Sequence, residues 1–462
     1  MIPLTLEEIA RTVDGRLDAV PDPTARVTAP AVIDSRLVQP GGLFAALPGD
    51  HTDGHHYAPR AVAAGATAVL ATRPVGVPAV LVQDVTAALG LLAHAVASRL
   101  TDTTVIGLTG SSGKTSTKDL LLQVLQQHAP TVATDRSFNN EIGLPLTVLR
   151  AEPDTRYLVL EMGARHIGHI AHLTALVPPR IGLVLNIGTA HVGEFGGREA
   201  IATAKGELLE ALPSDGLAVL NADDVLVAAM GTRTKAPLVM FGRTPDATVR
   251  ATDVTLDRGR ARFTLTTPSG TAPVALQVHG AHQVCNALAA AAVAHGVGMP
   301  TPAIATALSQ AQPLSSGRFQ VLERADGVTI INDAFNANPD SMTAGLHTAT
   351  ALANGRRTIA VLGEMRELGD HSHQAHTQLG CLAATLGIDH LITVGTTDAH
   401  TLADAARQTR ADLPTVTVHD HAAAHNALQP ILKPGDVVLI KASHALHLDQ
   451  LAQQLLADPT TN

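Results

Sequence analysis

The run Gly107-Leu108-Thr109-Gly110-Ser111-Ser112-Gly113-Lys114-Thr115 follows an apolar, strand-like segment and opens a helical pattern with Leu120, Val124 and Leu125 on one side. Strand, glycine turn and helix in that order make a cradle for phosphate. Backbone N–H groups of Gly110, Ser111, Ser112, Gly113 and Lys114 can wrap phosphate oxygens, and the helix N-terminus adds partial positive charge. Lys114 can reach the β- and γ-phosphates and Thr115 can ligate Mg²⁺, with Ser116 next along the helix. The fixed spacing of the general phosphate-loop pattern calls for glycine where Leu108 stands. The match is therefore physical rather than literal: Gly110 and Gly113 supply the close backbone approach, and the Lys-Thr pair is not needed by a turn that merely bends.

A metal at such a loop needs a carboxylate at the end of a neighbouring strand. RYLVLEMGA provides Glu161 after four apolar-leaning positions, and GLVLNIGTAHVGEFGG delivers His191 in a glycine-rich loop of the same kind. In REAIATAKGELLEALPSDG, Ile201, Ala204, Leu208, Leu209 and Leu212 form one apolar arc with Lys205 in its middle, where a solvated lysine has no reason to be. Snorkelling is the plain explanation, and catalytic use or covalent modification the sharper one. Glu207 falls on the polar side and is expected at the surface.

The elements that must position these groups are α/β. Residues 1–100 carry short strand-like runs between turns and helices, a small N-terminal α/β domain. Residues 101–313 alternate apolar strands with longer helices, the pattern of a mainly parallel sheet covered on both faces, with a β-rich insertion between roughly 241 and 279. After a break near AQPLSSGRFQ, residues 314–462 again alternate strands and helices as a C-terminal Rossmann-like domain.

Composition narrows the function classes. The chain has 462 residues, 45% apolar and 16% charged, enough for several folded cores and unlike a disordered chain. A net charge of −9 and no basic run interleaved with aromatics speak against a nucleic-acid partner. The longest apolar runs are strand length, so no membrane span is expected, and Thr5 to Glu8 reads as a capping box opening a helix rather than a signal peptide; a cytoplasmic monomer is the expectation. Two cysteines, Cys285 and Cys381, leave no disulfide framework. The histidine clusters HTDGHHY and HSHQAH lack a cysteine or an HExxH frame, so a zinc site is not expected.

Taken together, the phosphate loop, Glu161, NIGTAH and AKGE resemble the Mur ligases, the ATP-dependent amide ligases of peptidoglycan precursor synthesis. The resemblance runs over nearly the whole chain. DSRLVQPGGLFAALPGDHTDGHHY, NNEIGLP, EMGARHIGHI, NDAFNANPDSM and VLGEMRELGD look most like the branch that adds D-alanyl-D-alanine to a UDP-N-acetylmuramoyl tripeptide. It implies that ATP binds the loop, that Glu161 and His191 hold magnesium, two ions in all, and that Lys205 is carbamylated, which turns a cation into an anionic metal ligand. Asn286 matches an adenine-contacting asparagine. Arg318, Asp333 and Asn336 match third-domain groups that close over the γ-phosphate, ribose and phosphates. Ser35 and Arg36, with Asn139 and Asn140, lie in segments implied to receive the UDP-sugar peptide. The chain departs from the pattern at Gln283, where an asparagine is usual, at Phe335, where a tyrosine is usual, and at His444, which stands in the place of an arginine. A histidine lacks that residue's fixed charge and forked donors, so the amine substrate is left open. A related ligase acting on another amine or acid, and a non-ligating phosphate-loop ATP switch, are the competing readings. The switch has no use for a lysine within the apolar arc.

Overall fold

The computed structural model describes residues 1–49, 52–189 and 192–457. Three α/β domains follow one another, each built on its own sheet. In the first, the expected strand-like runs form Ala31–Val32, Leu43–Ala45, Ala68–Ala71 and Ala79–Leu81, which pair in parallel. Arg16–Asp18 adds an antiparallel edge that the pattern does not reveal, because three residues with two charges carry no alternation. The capping box forms: Glu8 N–H donates to Thr5 Oγ1 at 3.2 Å and Thr5 N–H to Glu8 Oε2 at 2.8 Å, opening the helix Leu6–Thr12.

The central sheet has nine strands. Thr104–Thr109 lies between Tyr157–Glu161 on one side and Ile181–Val184 on the other, both parallel to it. The chain winds outward to Thr131–Ala133 on the first side and, from Ile181 onward, to Leu217–Asn221 and Leu238–Gly242 on the second. Strand order thus reverses at Thr104–Thr109. Open α/β sheets bind ligands beyond the carboxyl ends of their strands at such a reversal, which is where the turn Gly110–Gly113 sits. Tyr157–Glu161 is buried along its whole length, as expected of a strand with helices on both faces.

The β-rich stretch is not a separate insertion. Val249–Asp257 pairs in parallel with Leu238–Gly242, and Arg260–Thr267 and Gly270–His279 continue antiparallel, so all three extend the central sheet. Ala261, Phe263 and Leu265 point into the core, while Arg260 and Arg262 face solvent. One covered face and one wet face produce the change from continuous apolar runs to alternation that sets this stretch apart in the sequence. Helix Gln283–Gly296 fills the space beneath with Ala287 through Ala294, all buried.

The third sheet has six strands in the order Gln320–Glu323, Thr329–Asn332, Val437–Lys441, Thr358–Gly363, His390–Val394 and Thr415–Val418. Five match the expected Rossmann-like strands and are parallel. Gln320–Glu323 is an added antiparallel edge. No helix among the described residues is long and apolar enough to cross a membrane.

Candidate active site

The phosphate loop is held by its own geometry and by one side chain that sequence reasoning missed. Gly113 has φ +80° at the N-terminus of the helix Lys114–Gln126, and a Cβ there would come within 2.5 Å of Asn286 Oδ1, so both backbone and space require glycine. Asn186, just beyond the end of Ile181–Val184, organises the loop's front. Its carbonyl accepts from Ser111 N–H at 3.1 Å, its Oδ1 accepts from Ser112 N–H at 3.0 Å, and its Nδ2 donates to Ser112 O at 3.1 Å. An asparagine following an apolar strand at the carboxyl edge of the sheet is the signal that could have marked it. Lys114 Nζ donates to Gly110 O at 2.8 Å, folding the lysine back over the loop.

Glu161 ends the adjacent strand and is 1% exposed. Its Oε2 accepts from Thr115 Oγ1 at 3.0 Å and its Oε1 from Asn139 Nδ2 at 2.7 Å, while Thr134 Oγ1 accepts from the Glu161 N–H at 2.9 Å. The carboxylate is thus fixed by neutral donors. The cations that face its charge are Lys114 and Arg318. Asn139 is therefore part of the central cavity, with its carboxamide on Glu161. Asn140 Oδ1 accepts from Gly143 N–H at 2.9 Å ahead of the helix Gly143–Val148, and Asn140 also lines the cavity.

Lys205 is buried in the helix Arg198–Glu210, at 4% exposure, and faces the same cavity. Burial, and then the positive charge of Lys114, hold its ammonium well below the usual lysine range. Burial likewise lowers Lys114, with Glu161 opposing and Arg318 reinforcing the effect. Glu207 departs from the surface position expected of it. It is buried, and its two oxygens accept the N–H groups of Gly168 and Ala171, the latter at 2.9 Å, at the start of the helix His169–Leu176. Unpaired donors at a helix start attract a carboxylate from a neighbouring element, and that demand is invisible on a helical wheel.

The third domain reaches into this site. Arg318 Nη2 donates to Thr115 Oγ1 at 3.2 Å and to Ser137 Oγ at 3.1 Å, and its guanidinium lies 4.2 Å from the centre of the Phe335 ring. Asp333 Oδ1 accepts from Phe319 N–H at 3.0 Å, and its Oδ2 pairs with Lys441 Nζ at 2.7 Å. Lys441 also donates to Asn336 O at 3.1 Å, tying two expected ligand-facing residues together through a lysine not singled out in the sequence.

These groups line one cavity of about 620 Å³ between the second and third domains, together with Ser111, Ser112, Gly113, Ser116 and Asn286. Three of its buried polar atoms, Ser111 Oγ, His169 Nδ1 and Arg318 Nε, have no hydrogen-bond partner. Orphaned polar atoms beside a phosphate cradle fit an anionic ligand, and the buried Glu161 carboxylate beside the Thr115 hydroxyl fits a divalent cation. Among the described residues no three His, Cys, Asp or Glu side chains converge as a metal site.

Other expected residues lie elsewhere. Ser35 is buried and Arg36 is exposed, paired with Asp34 at 2.7 Å; neither lines the cavity. His444 is exposed at its rim, with ring centres 5.4 Å from Phe335 and 5.8 Å from His447. His191 lies outside the described residues. In the histidine clusters, His55 bonds to Asp53 at 2.6 Å, and His376 Nε2 accepts from Met365 N–H at 3.0 Å while Nδ1 meets Ser372 O at 2.8 Å, so both rings are spent on structure.

A phosphate loop that faces a second nucleotide-type fold instead of open solvent belongs to enzymes that activate one substrate with ATP and deliver another to it inside a closing cleft. The comparisons with known proteins give that class its family. Residues 31–98 match the model of the Mur ligase family catalytic domain, 108–294 the Mur ligase middle domain, and 317–444 the Mur ligase glutamate ligase domain. A Mycobacterium tuberculosis protein named UDP-N-acetylmuramoyl-tripeptide–D-alanyl-D-alanine ligase is 48% identical, over 100% of this chain and 99% of its own. A crystal structure of MurF from Acinetobacter baumannii superposes with a TM-score of 0.85 at 33% identity, covering 99% of each chain. That of a Thermotoga maritima MurF ligase in complex with ADP gives 0.77 at 28% identity, over 92% of this chain and 97% of that one. The chain belongs to the Mur ligase family.

Proposed function

We propose that this protein is the ATP-dependent, ADP-forming ligase that joins D-alanyl-D-alanine to a UDP-N-acetylmuramoyl tripeptide in peptidoglycan precursor synthesis, working as a cytoplasmic monomer. The observation that carries the reading is the convergence of Lys114, Glu161, Lys205 and Arg318 on one interdomain cavity, supported by full-length identity to proteins carrying that name. Residues 1–100 receive the nucleotide sugar at Ser35 and Arg36, residues 101–313 bind ATP, and residues 314–462 present the amine.

The chemistry follows from what an amide bond demands. A carboxylate is a poor acyl electrophile, so one of its oxygens first attacks the γ-phosphorus of ATP. The bond from that phosphorus to the β–γ bridging oxygen breaks, and ADP leaves an acyl phosphate. The dipeptide amine then attacks the acyl carbon, a tetrahedral intermediate collapses, and inorganic phosphate and a proton depart. Backbone N–H groups of Gly110 to Lys114 hold the triphosphate, with Lys114 and Arg318 placed where negative charge builds on the transferring phosphoryl group. Asn286 flanks the adenine, and Asp333 and Asn336 orient the ribose and phosphates. Mg²⁺ held by Thr115, Glu161 and His191 would supply charge neutralisation at the phosphoryl oxygens. The depressed Lys205 ammonium keeps its amine neutral and able to add CO₂, and the resulting carbamate gives this cationic corner a negative group. Seating the third domain excludes the water that would hydrolyse the acyl phosphate.

The test is release of ADP and phosphate from ATP and the UDP-N-acetylmuramoyl tripeptide, with and without D-alanyl-D-alanine. Dipeptide-dependent release is expected. Release that ignores the dipeptide but answers to another amine would keep the ligase chemistry and move this chain to a related pathway, the second reading that His444 favours by standing beside Phe335 at the cavity rim.

A further inference from the structure

Two contacts of the third domain bear directly on the phosphate loop and the segment beside it. One is Arg318 on Thr115. The other is Asp340, the second residue of the helix Pro339–Ala353. That helix is capped by Asn338, whose Oδ1 accepts from Ser341 N–H at 2.9 Å, so the Asp340 carboxylate is not its cap and is free to point outward. It reaches across the domain boundary. Asp340 Oδ2 accepts from Thr189 N–H at 3.1 Å and from Thr189 Oγ1 at 3.3 Å. The neighbouring Gly188 leaves room for it, since a Cβ there would overlap the carboxylate oxygen.

The segment that receives Asp340 is the one that shapes the phosphate loop. Its first residue is Asn186, with four hydrogen bonds to Ser111 and Ser112. Its middle is pinned within the central domain, Ile187 N–H donating to Asp224 Oδ2 at 2.8 Å and Ile187 O accepting from Arg198 Nη2 at 2.7 Å. Its far end, Thr189, is the part that meets the third domain, its carbonyl accepting from Val192 N–H at 3.2 Å within the central domain. A carboxylate accepting from a backbone N–H and a hydroxyl at once makes a stiff clamp, and both donors belong to one residue.

We propose that Asp340 is a positioning residue that couples seating of the third domain to the phosphate loop: by clamping Thr189 it holds the segment 186–189, and through Asn186 the amides of Ser111 and Ser112, in the phosphate-wrapping arrangement. It rests on the ligase reading above. Its consequence is that phosphoryl transfer waits for the domain that brings the amine.

The test uses the full-length chain and the variants Asp340→Ala, Asp340→Asn, Gly188→Ala and the double Asp340→Ala/Gly188→Ala, reading kcat for ADP release with both acceptor substrates and the ADP dissociation constant by calorimetry. Wild-type turnover reports on the ligase reading; the variants relative to wild type report on Asp340. Asp340→Ala should lower kcat about tenfold, the equivalent of one charge-assisted hydrogen bond, with the ADP constant moving less than about twofold. Asp340→Asn should recover most of the loss, because an amide oxygen still accepts from Thr189 N–H. Gly188→Ala should copy Asp340→Ala, and the double variant should be no worse than the worse single. If Asp340→Asn is as impaired as Asp340→Ala while Gly188→Ala turns over normally, the carboxylate acts through its charge, on a cation or on the amine, and the clamp is wrong. An unimpaired Asp340→Ala overturns it as well. Should Gly188→Ala not fold, the contrast between the two Asp340 variants decides.

Discussion

Thr115 Oγ1 lies 3.0 Å from Glu161 Oε2, so the hydroxyl that follows the loop lysine meets the last residue of the neighbouring strand inside the sheet's carboxyl edge. Parallel register brings them together: Glu161 pairs with Leu108, two residues before the turn begins at Gly110.

Glu161→Gln keeps the shape and one of the two accepted hydrogen bonds but removes the charge that a cation needs. Turnover should fall at least about a hundredfold at low Mg²⁺, in line with loss of one preorganised charge contact at a transferring phosphoryl group, and recover in part as Mg²⁺ is raised. A Mg²⁺ titration of ADP release checks it; an unchanged titration curve would remove Glu161 from the metal.

Lys205→Ala should abolish turnover, and bicarbonate should not restore it. In the wild type, intact-mass measurement under CO₂-equilibrated buffer should show the carbamate on Lys205, and turnover should fall in CO₂-depleted buffer. Because the ammonium is disfavoured by burial and by Lys114, acidification should act in the same direction, protonating the amine that CO₂ must find neutral.

His444→Arg restores a permanent cation with two forked donors at the cavity rim, next to Phe335. The Michaelis constant for D-alanyl-D-alanine should drop by about three- to tenfold, the worth of a partly exposed charge-assisted bond to a carboxylate, with kcat for ATP-linked activation little changed. Steady-state kinetics over dipeptide concentration separates the two. No movement of the constant would mean that the dipeptide carboxylate is read elsewhere.

His279 ends the last strand of the central sheet, where burial, aided by the charge of Arg260, lowers its imidazole to about 4. The unfolded chain binds this proton near 6.5 and the folded chain only near 4, so stability is lost as pH falls from about 6.5 to about 4 and is fully present above that window. After allowance for its partial exposure the effect is about 1–2 kcal/mol. Urea unfolding across that window should show the slope, and His279→Gln should flatten it; equal slopes would exclude His279 as the source.

The sequence was most informative where function depends on neighbours along the chain. The phosphate loop needs only a strand, two glycines, a lysine and a threonine in order, and these stand within Thr104 to Thr115. Lys205 was legible because a charge in an apolar arc contradicts its own helix, and it is buried as that contradiction required. The alternation of short strands and helices likewise announced the α/β class, because each strand's burial is set locally by the helices that flank it.

What lies between distant segments was decided by the tertiary structure alone. Glu207 looked like a surface residue until the start of the helix His169–Leu176 was brought against it, for a buried N–H claims a carboxylate whatever that carboxylate's own helix predicts. The β-rich stretch looked like an inserted unit, yet one parallel pairing between Phe241 and Val249 makes it the edge of the central sheet. Asn186, Lys441 and Asp340 were silent because their roles exist only across the fold: asparagine on the phosphate loop, lysine on Asp333, aspartate on Thr189 of another domain. Local chemistry is written in consecutive residues, whereas a hydrogen bond between residues 151 positions apart is fixed by how two sheets come to face one another.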